Sequence, residues 1–141
     1  ISEVNRAIDL SQSREIISRL PQGLNTLIGS EGTYLSGGEQ QRIVLARAIL
    51  KNAPIVVLDE ATAFADPENE HLIRQALTHL TRGKTVLMIA HRLTTVQGAD
   101  NIVVVDNGSI AEQGTHTQLM ERGGLYYKMW NEYQKAAAWK I

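Results

Sequence analysis

The sequence predicts an α/β fold with a mostly parallel sheet flanked by helices. Short apolar, β-branched runs occur at residues 55–58, 85–90 and 102–105, and helical periodicities lie before, between and after them. Size agrees, because 141 residues of which 43% are hydrophobic suffice for one sizeable core and are few for two independent domains.

The elements follow in order. Residues before Pro21 read as helical, with Ile8, Ile16, Ile17 and Leu20 forming partial apolar stripes, and the glycine-containing stretch 23–34 interrupts that pattern. Ser36 followed three residues on by Glu39 makes a capping box, which opens a helix running to Lys51. The run Ile43, Val44, Leu45, Ala46, Ala48, Ile49 and Leu50 implies that this helix is buried on most sides. Pro54 introduces Ile55-Val56-Val57-Leu58, a run of the kind found in fully buried parallel strands, and the run stops at Asp59-Glu60. Asp66-Pro67 supplies an N-cap and a first-turn proline for a helix reaching about Thr81, with Leu72, Ile73, Ala76, Leu77 and Leu80 on one face. Gly83 turns the chain into a second buried strand, 85–90. Ile102 begins a third apolar run, and Asp106-Asn107-Gly108-Ser109 is a hairpin turn leading into Ile110. From Thr115 the tail is helical, with Leu125, Tyr126, Met129, Trp130 and Tyr133 on one stripe.

Composition narrows the function classes. The 14 basic and 15 acidic residues are spread along the chain for a net charge of -1, so no nucleic-acid or anionic-lipid partner is expected. The absence of cysteine excludes disulfides and thiolate metal sites and fits a reducing compartment. No apolar run approaches the ~20 residues that span a bilayer, so membrane contact is expected only through a partner. The first ten residues do not read as a signal peptide. With no initiator methionine, the polypeptide is expected to begin further upstream.

The segment Leu35-Ser36-Gly37-Gly38-Glu39-Gln40-Gln41-Arg42 puts two glycines and a capping serine at the mouth of a helix. Unpaired backbone N–H groups and the positive dipole end suit an anion there, and glycine allows it close to the backbone. Residues 35–42 resemble the signature motif of ABC ATPases, and the likeness continues through Leu50. The resemblance implies a partial P-loop NTPase fold: residues 1–52 would be part of the helical signature subdomain, and residues 53–141 the C-terminal part of the ATPase core. It makes Ser36 and Gly38 γ-phosphate contacts, flanked by Gly37 and Glu39, for ATP held by a second nucleotide-binding domain, identical or sister. Glu39 stands where the family most often has glutamine.

Residues 55–60 resemble the Walker B segment, which implies Asp59 as the Mg2+ ligand and Glu60 as the general base. Asp66 falls at the D-loop and is equally explained as an N-cap. His91, after the strand 85–90, matches the switch histidine. Gly83-Lys84-Thr85 mimics the end of a phosphate-binding loop, but it joins a helix to the following strand, the reverse of such a loop, and Thr78 stands where the first glycine belongs. Asn107-Gly108-Ser109 reads as a turn rather than a glycosylation site.

Leu20-Pro21-Gln22-Gly23 with residues 26–32, the sequence His91-Arg92-Leu93, and Ala99-Asp100-Asn101-Ile102 followed by Glu112-Gln113-Gly114-Thr115-His116 and Leu119 resemble the exporter branch. That implies coupling helices of a transmembrane domain as partner, at the cytoplasmic face of the inner membrane. It also implies that the chain alone, lacking the phosphate loop, turns over no ATP. The alternative is a soluble ABC-type ATPase of DNA repair or translation, but neither coiled-coil heptads nor a basic character is present.

Overall fold

The structure, a computed structural model, describes residues 2–29, 32–59, 67–90 and 92–138; the side chains of residues 67 and 68 are not described. Its elements are α1 (Ser2–Leu10), α2 (Arg14–Arg19), a 3-10 turn (Gly23–Asn25), α3 (Gly37–Lys51), β1 (Ile55–Asp59), α4 (Pro67–Thr81), β2 (Thr85–Ile89), α5 (Leu93–Val96), β3 (Ile102–Asp106), β4 (Ser109–Gly114), α6 (His116–Arg122) and α7 (Leu125–Ala138). Helices and strands alternate through the middle of the chain, so the class is mixed α/β as expected. The strands form two two-stranded sheets, β1 with β2 and β3 with β4. The chain divides into two compact units, Ile1–Leu87 and Met88–Ile141.

In the first unit the expected N-terminal helical segment is broken into α1 and α2. Gln12 adopts φ 58°, the left-handed region. Ser13 N–H then reaches back to the Ile8 carbonyl at 2.9 Å and Gln12 N–H to the Asp9 carbonyl at 3.0 Å, the paired bonds of a Schellman ending. The flanking Ser11 and Ser13 are fully buried, and the Ser11 hydroxyl is 2.8 Å from that of Ser13. Arg42, buried on α3, donates through Nη1 to the Gln12 carbonyl at 2.6 Å and so ties α3 to this break.

The core of this unit joins Leu45 of α3, Leu58 of β1, and Ile73, Ala76 and Leu80 of α4, with Val56 and Val86 packed against it. The sequence implied more burial than this. Val44 of α3 is 59% exposed, and on the strands Ile55, Val57 and Leu87 are 63%, 61% and 59% exposed. Of β1 only Leu58 is buried. The strand pleat sends alternate side chains to opposite faces, and in this unit α3 and α4 cover the face that Leu58 and Val56 share. An unbroken apolar run is thus a one-sided strand here, and α3 is buried along one stripe.

In the second unit β3 and β4 are antiparallel, pairing Ile102 with Gly114 and Asp106 with Ser109. The turn between them places Asn107 at φ 47° and Gly108 at φ 75°, the paired positive angles that bring a two-residue hairpin back with the right twist. A register shift at Val104/Val105 leaves Ala111 as the extra residue of a bulge. Ile102, Val104, Leu119 and Tyr126 form the core, supported by Leu93, Val96 and Trp130. The helical tail is interrupted at Gly123, and α7 starts against the hairpin: Glu112 accepts from Leu125 N–H at 3.1 Å and Tyr126 N–H at 2.8 Å. Gly124 makes room for this contact, since a Cβ there would collide with the Glu112 carboxylate.

Candidate functional site

The turn that opens α3 is built by its own residues. Ser36 is the N-cap, at φ -62° and ψ 160°, and its hydroxyl accepts from Glu39 N–H at 3.3 Å. In return the Glu39 carboxylate accepts from Ser36 N–H at 2.9 Å, which completes the expected capping box. Gln40 adds a bond from Nε2 to the Leu35 carbonyl at 2.8 Å, and the buried Leu35 side chain anchors the entering strand of backbone. Reciprocal bonds of this kind fix the backbone before any ligand arrives.

Gly37 and Gly38 form the first turn behind that cap. Gly38 is buried, and the neighbour that buries it is Asn69 of α4: a Cβ on residue 38 would lie 2.6 to 2.9 Å from Asn69 side-chain atoms. Those separations are shorter than carbon atoms tolerate, so glycine is required there for packing.

Glu39 is more than a cap. Its other oxygen, Oε1, lies 2.6 Å from Arg19 Nη2 on α2, and its side chain is only 19% exposed. The Ser36 N–H bond foremost, and Arg19 after it, hold the Glu39 carboxyl below its ordinary pKa, with partial burial opposing. The carboxylate is therefore charged at neutral pH with both oxygens occupied.

Asp59 closes β1, exposed immediately after the buried Leu58 that packs in the same core as Leu45 of α3. One exposed carboxylate at a strand end fits a hard divalent cation that keeps most of its waters and shares phosphate ligands. Among the described residues no cluster of three or more acidic or histidine side chains could hold a metal by itself. Glu60, Asp66 and His91, the expected base, D-loop aspartate and switch histidine, lie outside the described residues. The structure thus assembles Ser36, Gly37, Gly38 and Glu39 into one turn and puts Asp59 at the end of the neighbouring strand. Sequence reasoning missed Arg19 and Asn69, which touch this turn from 20 and 31 positions away from Glu39 and Gly38. No local pattern could have signalled either.

A glycine-lined, capped helix mouth beside an α/β core with an acidic strand end is an arrangement chemically suited to a phosphate-bearing ligand. The family model for ABC transporters matches residues 3–63, and the chain belongs to that family. It is 52% identical to the mycobactin import ATP-binding/permease protein IrtA of Mycobacterium tuberculosis, over 94% of this chain and 15% of that protein. To an ATP-dependent lipid A-core flippase of Neisseria meningitidis it is 50% identical, over 97% of this chain and 22% of that protein. A solved bacterial Atm1-family ABC exporter with ATP bound superposes with a TM-score of 0.78 at 43% identity, over 93% of this chain and 23% of that one. The fold is accordingly a partial P-loop NTPase fold of the ABC type. The chain spans roughly a fifth or less of the length of these two curated relatives. No helix among the described residues is long and apolar enough to cross a membrane.

Proposed function

We propose that this chain is the signature-bearing part of an ATP-hydrolysing domain that powers an ABC transporter. The observation that carries the reading is the pre-formed turn at Ser36, Gly37 and Gly38, in a chain half identical to ATP-binding transport proteins. In this reading residues 1–52 supply the helical portion and residues 53–141 the C-terminal part of the catalytic core.

The residues divide into two half-sites. Ser36, through its hydroxyl, and Gly38, through a backbone N–H of the first helical turn, receive the γ-phosphate of ATP held by a second, facing nucleotide-binding domain. Glu39 locks the cap. Asp59, Glu60 and His91 act on ATP held by the phosphate loop of their own polypeptide: Glu60 takes the proton of the attacking water, His91 holds the phosphate, and Asp66 lies at the contact between domains. Asp59 holds Mg2+, which when bound neutralises charge on the phosphate oxygens. Closure of the two domains over ATP drives a transmembrane partner at the cytoplasmic face, and hydrolysis reopens them.

The named relatives are transport proteins, and nothing among them favours DNA repair or translation. They include both an import protein and a flippase at nearly equal identity, and export is proposed from the exporter-like sequence features. The test is ATP hydrolysis by the intact transporter. Glu60→Gln is expected to lower turnover by about 10²- to 10⁴-fold while ATP binding persists. Ser36→Arg is expected to abolish turnover by blocking closure. Full activity in Ser36→Arg overturns the reading, and the chain by itself, with no phosphate-binding loop, is expected to be inactive.

A further inference from the structure

The capping box leaves a difficulty at the proposed phosphate site. Glu39 places a carboxylate on the first turn of the helix that is to receive an anion, and unscreened like charges there repel. The structure contains a counterpart. Arg19, the last residue of α2, binds Glu39 Oε1 at 2.6 Å, while Oε2 stays on Ser36 N–H at 2.9 Å. A second carboxylate, Glu15, lies farther from Arg19, at 3.9 Å, and is largely exposed, so the guanidinium is committed first to Glu39. α2 stands in turn on the buried Ile16 and on the serine-lined break from α1, which gives Arg19 a fixed base.

We propose that Arg19 is a positioning residue for nucleotide binding: it neutralises Glu39 and pins its carboxylate to the Ser36 amide, so that the opening turn of α3 meets a phosphate without net negative charge. The inference rests on the functional reading above. It assigns Arg19 no contact with ATP. Its effect passes through Glu39, and that makes it separable from a purely structural role. If Arg19 served only to hold α2 against α3, removing the Glu39 charge could not compensate for its loss.

The experiment measures KM for ATP and kcat of the intact transporter carrying Arg19→Gln, Arg19→Lys, Glu39→Gln, and Arg19→Gln with Glu39→Gln. Arg19→Gln is expected to raise KM about fivefold with kcat altered less than about twofold, the upper range for a partly exposed ion pair. Arg19→Lys keeps the charge and is expected to retain most of the wild-type KM, and it serves as the readout if Arg19→Gln does not fold. The double variant is expected to return to the KM of Glu39→Gln alone, because an amide at residue 39 still accepts from Ser36 and carries no charge to offset. A wild-type KM in Arg19→Gln, a KM in Arg19→Lys as high as that expected for Arg19→Gln, or a double variant as impaired as the single one overturns the proposal. Ser36→Arg, run beside them, separates the two levels. Activity in Ser36→Arg defeats the functional reading itself, whereas its loss together with an unchanged KM in Arg19→Gln defeats only the role of Arg19.

Discussion

Replacing Gly38 by alanine sets two opposed effects against each other at one atom. Alanine is the better helix former by up to about 1 kcal/mol in a helix interior, and less in a first turn. Against that, the new Cβ would lie 2.6 Å from Asn69 Cγ and 2.7 Å from Asn69 Cβ. The second of these is the stem of the side chain, so rotation of the amide cannot relieve the overlap, and α3 and α4 must separate. Overpacking of this kind costs about 1–3 kcal/mol, so the net expectation is a loss of about 1 kcal/mol or somewhat more. Chemical denaturation of the ATP-binding region carrying Gly38→Ala, Asn69→Gly, which removes the Cβ as well as the amide, and both changes tests this as a double-mutant cycle. The steric account requires the pair to be less destabilising than the sum of the singles. Additive effects, or a Gly38→Ala variant as stable as wild type, would refute the close approach as the reason for glycine at this position.

Two further outcomes follow from hydrogen bonds described above. Glu39 has a depressed pKa in the folded chain, so its stabilising contribution is present above the ordinary value of about 4.5 and is lost as pH falls from there through the lower folded value. Thermal unfolding followed from pH 6 down to about pH 3 should show a shallower acid-side decline in Glu39→Gln than in wild type, and parallel declines would contradict the assigned pairing. Glu112→Ala removes the acceptor of two α7 amides and is expected to destabilise the Met88–Ile141 unit by about 1–2 kcal/mol, measured by denaturation. Glu112→Gln, which keeps one acceptor oxygen, should fall between that variant and wild type.

Local chemistry made some parts of the chain legible. The Ser36/Glu39 box, the start of α4 at Pro67 and the Asn107-Gly108 turn all depend on residues within four positions of one another, and each forms where the spacing placed it. Burial was less legible. The run at residues 55–58 is apolar throughout, yet its exposure is set by what packs on each face, and a strand cannot encode its neighbours. The break at Gln12 was missed because glutamine carries no strong left-handed preference; buried serine hydroxyls and the Arg42 bond to its carbonyl hold it there instead. In the candidate site the turn could be read and its supports could not. Arg19 and Asn69 reach it only through tertiary packing.

The clasp of Glu112 on α7 has a kinetic counterpart. The amide hydrogens of Leu125 and Tyr126 are held by a carboxylate on β4, so they should exchange with deuterium only when helix and hairpin part company. Residues 13 and 14 positions apart in sequence are thereby expected to open as one event, with Leu125 and Tyr126 as slow as the β3–β4 ladder rather than as fast as a fraying helix end.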